Sequence, residues 1–264
     1  MTKLFVCFRE LWNRRELLFS LTKRDIKSRY QQTFFGMGWS LFQPVMQAVV
    51  YTVAFSLILK VPIREGIPYM NFVFCNLTLW TYFASTTLSA MNSIRMNSAL
   101  ITRVAFPREI IPFSTILSGL FDFIIMFIVL VILNAFVGFY PNIRFLYLPT
   151  IILIEILFIL NISLVLSVIS IVRRDITHVV NYFIMLYMFI SPVFFPFSAL
   201  PAEIQRYYFL NPMGTLLEGF KNIIFLDKEP RWFALMMVII ILIVLFFPCY
   251  IFFKKAERSF TDVL

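Results

Sequence analysis

The sequence has almost none of the residues from which catalytic and metal centres are built. Its 264 residues include a single histidine, His178, and three scattered cysteines, Cys7, Cys75 and Cys249. This cysteine spacing matches neither a metal site nor a disulfide framework. No Ser/His/Asp or Cys/His constellation can be built around the single histidine. We therefore expect no catalytic residue and no metal site, and we interpret His178 as a hydrogen-bonded or solvated side chain.

Glycine is also scarce, and this bears on nucleotide binding. The seven glycines are dispersed along the chain, and none lies in a G-x-x-x-x-G-K-[ST] pattern. That pattern supplies the backbone N–H groups that cradle the phosphates of ATP. We therefore expect this chain to bind no cofactor of its own.

Charged residues make up 14% of the chain, whereas hydrophobic residues make up 61% and phenylalanine alone occurs 33 times. Soluble domains are only about half apolar. A soluble core of this size could not bury so much apolar surface, so most of it must face lipid. The composition predicts an all-α polytopic membrane protein with a single domain over residues 1–264.

Six apolar runs are near the length that crosses a bilayer, which is about 20 residues. They are Met37–Leu59, Tyr69–Met91, Ile110–Phe139, Phe145–Val172, Val179–Phe197 and Trp232–Phe253. The sequence thus predicts six transmembrane helices within residues 37–253. An even number of spans leaves both termini on one side, and the segments on that side carry 16 of the 23 Lys and Arg residues. The positive-inside rule then predicts that both termini are cytoplasmic.

The N-terminal residues are predicted to form an amphipathic helix over residues 3–20 that lies on the membrane surface. Its apolar side chains, which include Phe8 and Trp12, fall within one arc of a helical wheel, and Arg9 and Arg14 lie outside it. Charges interrupt Leu4–Phe19, so we expect no cleavable signal peptide. The helix is either a moving interface element or a passive membrane anchor.

Residues 198–231 lie between the fifth and sixth predicted spans and contain two aromatic-rich halves, each too short to cross a bilayer. Asn211-Pro212 is a turn signal between the halves. The pattern favours two short re-entrant helices buried against protein, and the alternative is a surface loop with aromatic anchors. If the helices form an exit gate, its candidate residues are Tyr207, Tyr208, Asn211 and Pro212.

Some polar side chains fall inside the predicted spans. Asp122 and Glu155 are intramembrane acids, which suggest function by default, although each could instead form a structural pair. The second span mixes aromatic and small polar residues that would suit the faces and hydroxyls of a sugar polymer. The candidate channel residues are Trp80, Tyr82, Phe83, Thr86 and Thr87, with Ser89, Asn92 and Ser93 beyond them. The alternative is an ordinary lipid-facing or interfacial aromatic belt.

Several short motifs resemble those of one family along the whole chain. The N-terminal set is Arg24-Asp25-Ile26-Lys27, Arg29-Tyr30, Thr33, Gly36, Trp39 and Pro44, and the later set is Pro107-Arg108-Glu109, Arg174-Asp175-Ile176, Ser191-Pro192 and Asn211-Pro212-Met213. Their order and spacing resemble the permease subunits of polysaccharide-exporting ABC transporters, which move lipid-linked O-antigen, capsule or teichoic acid. O-antigen is the substrate that we expect from this resemblance.

The resemblance implies a set of partners and a location. It implies a homodimer in a bacterial cytoplasmic membrane, bound to two copies of a separate ATP-binding subunit that holds ATP and Mg²⁺. It implies an undecaprenyl-linked glycan as cargo, contact with membrane lipids and no nucleic acid. The interface helix would then press on the ATPase.

The same resemblance assigns roles to charged residues near the cytoplasmic face. Arg103, Arg108, Glu109, Arg24 and Asp25 become candidates for coupling to the ATPase. Arg24, Lys27 and Arg29 become candidates for binding the lipid pyrophosphate or headgroups, because arginine can pair with phosphate through two parallel hydrogen bonds. The alternative for these cations is that they only set the topology.

Other classes remain open from the residues alone. One is a permease of a small-lipid or drug ABC exporter, and another is a membrane-embedded glycosyl or phosphoglycosyl transferase. The transferase would need clustered acids to hold Mg²⁺, whereas Asp25, Glu109 and Asp175 are isolated in sequence. An ion-coupled transporter is disfavoured because intramembrane charge is scarce and no inverted repeat with broken helices is visible.

Overall fold

The computed structural model describes residues 14–31, 36–58, 66–104, 106–197, 200, 201, 203, 205, 210–257 and 260. Within these ranges every regular element is helical, which agrees with the predicted all-α class. The helices are α1 (Arg15–Tyr30), α2 (Trp39–Tyr51), α3 (Tyr69–Met96), α4 (Ser98–Arg103), α5 (Ile110–Phe136), α6 (Leu148–Val172), α7 (Ile176–Ile190), α8 (Pro212–Phe225) and α9 (Trp232–Glu257). A short 3₁₀ turn, Gly36–Gly38, precedes α2, and another, Ile143–Tyr147, precedes α6.

Helix α3 lies at the centre of the bundle. It packs against α2, α5, α6, α7 and α8, and most of its side chains are buried. It packs closely against α5 at Gly119, where an added Cβ atom would overlap the Thr86 hydroxyl oxygen. Only glycine lets the two backbones come this close without a shift, as at other small-residue contacts between membrane helices.

Three helical segments are both long and apolar enough to cross a membrane among the described residues: Ile110–Phe136, Ile143–Val172 and Trp232–Glu257. Helix α3 has 28 residues, and its asparagine, serine and threonine side chains lower its hydropathy. Two shorter apolar helical segments are Leu41–Ser56 and Ile176–Ile190. The full number of six spans stays a prediction.

The fifth predicted span, Val179–Phe197, is wrong in its second half. Helix α7 ends at Ile190, and Ser191 has extended backbone angles with ψ of 150°. Pro192 explains this end, because proline disfavours the helical conformation in the residue before it and lacks an N–H donor. The following residues form turns buried against α3, where Asn76 donates hydrogen bonds to the carbonyls of Pro192 and Val193.

Helix α1 overlaps the predicted N-terminal helix only over residues 15–20. It continues to Tyr30, so the cationic stretch is itself helical. Lysine and arginine are good helix formers, and neither glycine nor proline occurs before Gly36. Helix α1 packs along α5. The part of the prediction that falls on residues 3–13 lies outside the described residues.

The second half of residues 198–231 is helical, as predicted. Helix α8 begins at Pro212, and the Asn211 side chain caps it by accepting a hydrogen bond from the Gly214 N–H at 3.1 Å. Nearly the whole helix is buried against α3 and α6. Its depth in a bilayer, and therefore the re-entrant arrangement, stays a prediction.

Candidate functional site

A groove with many polar side chains lies among α1, α2, α3 and α5. It consists of two cavities of about 670 Å³ and about 410 Å³, and Arg29 and Ser89 line both of them. The larger cavity is also lined by Arg24, Asp25, Ser28, Asn92 and Asn97, and the smaller one by Tyr30, Gln43, Gln47, Thr81, Ser85 and Asp122. We call the two cavities together the polar groove.

One face of α3 supplies a line of hydroxyl and amide groups to the polar groove. Thr81, Ser85, Ser89 and Asn92 are spaced by three or four residues and therefore share a helix face. The Ser85 hydroxyl donates to the Thr81 carbonyl at 2.7 Å, and the Asn92 amide donates to the Leu88 carbonyl at 2.9 Å. A hydroxyl that donates in this way keeps its oxygen lone pairs for another donor. The face can thus bind a ligand rich in hydroxyl groups.

The cationic part of the polar groove comes from α1. The Arg24 guanidinium donates to Asn97 Oδ1 at 2.6 Å and pairs with Asp25 at 2.8 Å. Asn97 directly precedes α4, so Arg24 joins α1 to the start of that helix. Because about half of the Arg24 side chain is exposed, its guanidinium is accessible to an anion.

Arg29 is less exposed than Arg24 and is paired with Asp122 of α5. Its guanidinium forms an ion pair with Asp122 and donates to the Ser118 hydroxyl at 3.1 Å. The Tyr30 hydroxyl also donates to Asp122. Two groups from α1 therefore converge on one carboxylate of α5, and this fixes α1 against the bundle.

The five predicted channel residues lie inside the bundle and not on the face that lines the polar groove. They are Trp80, Tyr82, Phe83, Thr86 and Thr87, and each is no more than 4% exposed. Phe83 stacks on Phe158 with ring centroids 5.1 Å apart, and Tyr82 packs on Phe123 at 5.5 Å. Their role in transport stays a prediction, but in this state they fill the core between α3 and its neighbours.

The predicted coupling and headgroup residues fall into three places. Arg24 and Asp25 line the polar groove, whereas Lys27 is exposed and Arg103 is exposed at the end of α4. Arg108 and Glu109 instead contact the C-terminal end of α9, where Lys254 Nζ lies 2.7 Å from Glu109 Oε2. The structure therefore separates residues that the sequence had grouped together.

Two of the four predicted exit-gate residues lie within the described part of the chain. Asn211 accepts a hydrogen bond from the Tyr187 hydroxyl, and its amide donates to the Ser191 hydroxyl at 3.4 Å. Pro212 is the first residue of α8. These contacts join the end of α7 to the start of α8. Tyr207 and Tyr208 lie outside the described residues.

Sequence reasoning missed Gln43, Gln47, Thr81 and Ser85, which line the smaller cavity. The signal was present, because Gln43 and Gln47 are four residues apart on α2, and Thr81 and Ser85 are four apart on α3. Polar residues at this spacing in an apolar helix predict a shared face that avoids lipid. The partners of Glu109 on α9 had no comparable signal.

Comparisons with known proteins agree with the geometry. The profile of a family described as ABC-2 type transporter matches residues 16–225. A protein from Myxococcus xanthus named O-antigen export system permease protein RfbA is 28% identical over 257 residues, which cover 96% of this chain and 97% of that protein. A protein of the same name from Klebsiella pneumoniae is 25% identical over 250 residues, which cover 94% of this chain and 95% of that protein.

Proposed function

The chain belongs to the ABC-2 type transporter family and is a multi-pass membrane permease, and from this premise we propose that it is the transmembrane subunit of an ATP-driven O-antigen exporter. The cargo is a glycan linked to undecaprenyl diphosphate. The names of the Myxococcus and Klebsiella relatives support O-antigen over capsule or teichoic acid as the cargo. They also support a permease over a transferase.

The observation that carries this proposal is the polar groove in a bundle whose core is mostly apolar. Helix α9 shows what a lipid-facing surface looks like in this chain. Over residues 232–252 its exposed side chains are all apolar, and they include Phe233, Met236, Met237, Ile240, Ile241, Ile243, Val244 and Leu245. Amide and hydroxyl groups are costly in hydrocarbon, so a groove that collects Gln43, Gln47, Thr81, Ser85 and Ser89 is suited to a polar cargo.

The cationic end of the polar groove binds the diphosphate of the carrier lipid in this proposal. Arg24 and Arg29 both line the larger cavity, and arginine pairs with phosphate through charge-assisted hydrogen bonds. The sugar units then follow the hydroxyl and amide groups of α3. Serine and threonine oxygens accept hydrogen bonds from the sugar hydroxyls, and the amides of Gln43 and Gln47 both donate and accept.

A separate ATP-binding subunit supplies the energy in this proposal. Helix α4 is its contact, since Thr102 and Arg103 at the end of this short helix are exposed. Apolar side chains flank the same surface, because Met96 is 79% exposed and Val104 is 51% exposed. An exposed surface with apolar flanks and a central cation is typical of a protein contact.

A second copy of the chain completes the permease in this proposal. Helix α7 contacts α3 and α6, and most of its outer surface is exposed, including Asn181. An exposed asparagine in an apolar helix contrasts with the apolar exposed surface of α9 over residues 232–252. The contrast favours a protein or water neighbour for α7, as expected if two copies face each other around a channel.

Purification of the tagged protein from its native membrane tests the proposal. We expect an ATP-binding subunit to co-purify in equal amount, and we expect hydrolysis of ATP to increase when undecaprenyl-diphosphate-linked glycan is added to the reconstituted complex. Cells that lack the chain should accumulate the lipid-linked glycan on the inner leaflet. A protein that purifies alone and transfers sugars or phosphosugars would overturn the proposal.

A further inference from the structure

Five residues join the start of α5 to the end of α9, and we call them the C-terminal clamp: Arg108, Glu109, Tyr250, Lys254 and Glu257. Lys254 Nζ lies 2.7 Å from Glu109 Oε2 and 2.9 Å from Glu257 Oε2. The Tyr250 hydroxyl donates to Glu109 Oε1 at 3.2 Å. Each oxygen of the Glu109 carboxylate therefore has a donor from α9.

The neighbouring residue makes a second set of contacts with the same helix end. The Arg108 backbone N–H donates to Glu257 Oε1 at 3.0 Å, and its guanidinium donates to the Glu257 carbonyl. The guanidinium also lies over the Phe260 ring at 5.9 Å. Two consecutive residues of the loop before α5 are thus fixed to the last turn of α9.

Burial makes the C-terminal clamp more than a surface ion pair. Glu109 is 1% exposed, so its carboxylate depends on Tyr250 and Lys254 for the hydrogen bonds that water would otherwise supply. The pair also suits both helix ends, because an acid at a helix N-terminus and a base at a helix C-terminus are favoured by the helix dipoles. Removing Lys254 therefore leaves the buried Glu109 carboxylate without its cation, whereas Lys254 is 31% exposed and also pairs with Glu257.

The position of the C-terminal clamp relates it to the movement of the permease. Arg108 and Glu109 follow α4 by a few residues and directly precede α5. Along the rest of its length α9 packs against α6 and α8. A displacement of α4 therefore reaches the last helix directly through the clamp, and otherwise through several intervening helices.

We infer that the C-terminal clamp positions the loop before α5 and transmits the movement of α4 into α9, so that Arg108 and Glu109 are positioning residues and do not dock on the ATPase. This inference rests on the proposed function. It differs from the sequence-based expectation, in which both residues contacted the ATPase themselves. The described contacts occupy both side chains within this chain.

Two single variants, Glu109→Gln and Lys254→Met, test the inference in the complex with the ATP-binding subunit. When two sites of a protein are coupled, the state of one typically changes the binding equilibrium at the other by about 5–150-fold. We expect export to fall by about tenfold in both variants, while recovery of the ATP-binding subunit and the hydrolysis rate stay within about twofold of wild type. Lys254→Arg keeps the positive charge, and we expect export by this variant to stay close to the wild-type level.

A distance measurement separates positioning from simple destabilisation. Spin labels at exposed Thr102 and Lys255, in a background without the native cysteines, report the separation of α4 and the end of α9. We expect one narrow distance distribution in the wild-type sequence, with and without ATP. Glu109→Gln should broaden it when ATP binds, because the two ends no longer move together.

A matched control and the contrary outcomes complete the test. Asp227→Asn removes an ion pair outside the C-terminal clamp, in which Arg144 Nη1 lies 2.6 Å from Asp227 Oδ1. This variant should leave export unchanged. Asparagine also tolerates the positive φ of 45° at this position. Wild-type export by both clamp variants, or loss of the ATP-binding subunit from both, would overturn the inference. Failure of the wild-type chain to bind an ATPase at all would instead overturn the proposed function.

Discussion

Two acidic side chains lie within the apolar helices, and their surroundings differ. Asp122 receives hydrogen bonds from Arg29 and Tyr30 of α1. Glu155 is fully buried in α6, and neither of its carboxylate oxygens has a hydrogen-bond partner among the described residues. The sequence singled out both acids as candidates for function. It could not separate them, because their partners are distant in sequence.

Asp122→Asn tests the structural part of this difference. The substitution removes the ion pair with Arg29, which is only 32% exposed, so we expect a loss of about 1–3 kcal/mol in stability. Thermal unfolding in detergent, followed by fluorescence, measures the change. Glu155→Gln is the matched control and should change stability by less than about 0.5 kcal/mol, since no described hydrogen bond is lost. A larger effect for Glu155→Gln than for Asp122→Asn would contradict this reading of the two acids.

At the scale of the element, helix α3 presents different surfaces to different neighbours. Its buried faces carry Trp80, Phe83 and Thr87, and its groove face carries Thr81, Ser85 and Ser89. Residue type alone favoured the aromatic set as a channel. Helical spacing shows that the aromatic set and the hydroxyl set lie on different faces of α3. Only the packing of α5 and α6 against α3 shows that the aromatic set is the buried one.

A pair of α3 variants tests which surface contacts the cargo. Ser85→Val removes a hydroxyl from the polar groove, and we expect export to fall by about 2–10-fold, the effect of one lost hydrogen bond of ordinary strength. Thr87→Val removes a buried hydroxyl that has no partner among the described residues, and it should leave export unchanged. Export assays with equal amounts of each variant in the membrane make the comparison. A larger loss of export in Thr87→Val than in Ser85→Val would instead mean that the predicted aromatic surface of α3 lines the channel.

Local signals for the ends of elements were present in the sequence, but only the start of α8 was predicted from one of them. Pro192 and Asn211-Pro212 mark the end of α7 and the start of α8, and both signals are visible in the sequence. The fifth span was still predicted too long, because hydropathy continues through Phe194 and Phe197 after the helix has ended. Those residues are buried by packing against the rest of the protein.

At the scale of the whole molecule, the family could be predicted from the sequence, whereas the C-terminal clamp could not. The motifs from Arg24 to Met213 were sufficient to indicate a permease, and the family match over residues 16–225 confirms it. The C-terminal clamp was not predictable, because Glu109 and Lys254 are 145 positions apart. A single sequence carries no signal that pairs one acid with one base over that distance.

The outer surface of α7 tests how the whole permease is assembled. If Asn181 faces a second copy of the chain, Asn181→Leu should remove polar contacts, and we expect about a tenfold weaker dimer from the loss of one or two hydrogen bonds. Cross-linking and mass measurement in lipid nanodiscs report the fraction of dimer. Ile240→Asn on α9 is the matched control, and it should reduce insertion or stability without changing the dimer fraction, because we expect the exposed apolar surface of α9 to face lipid. A more stable and still dimeric Asn181→Leu variant would mean that α7 also faces lipid, and the dimer interface would then lie elsewhere.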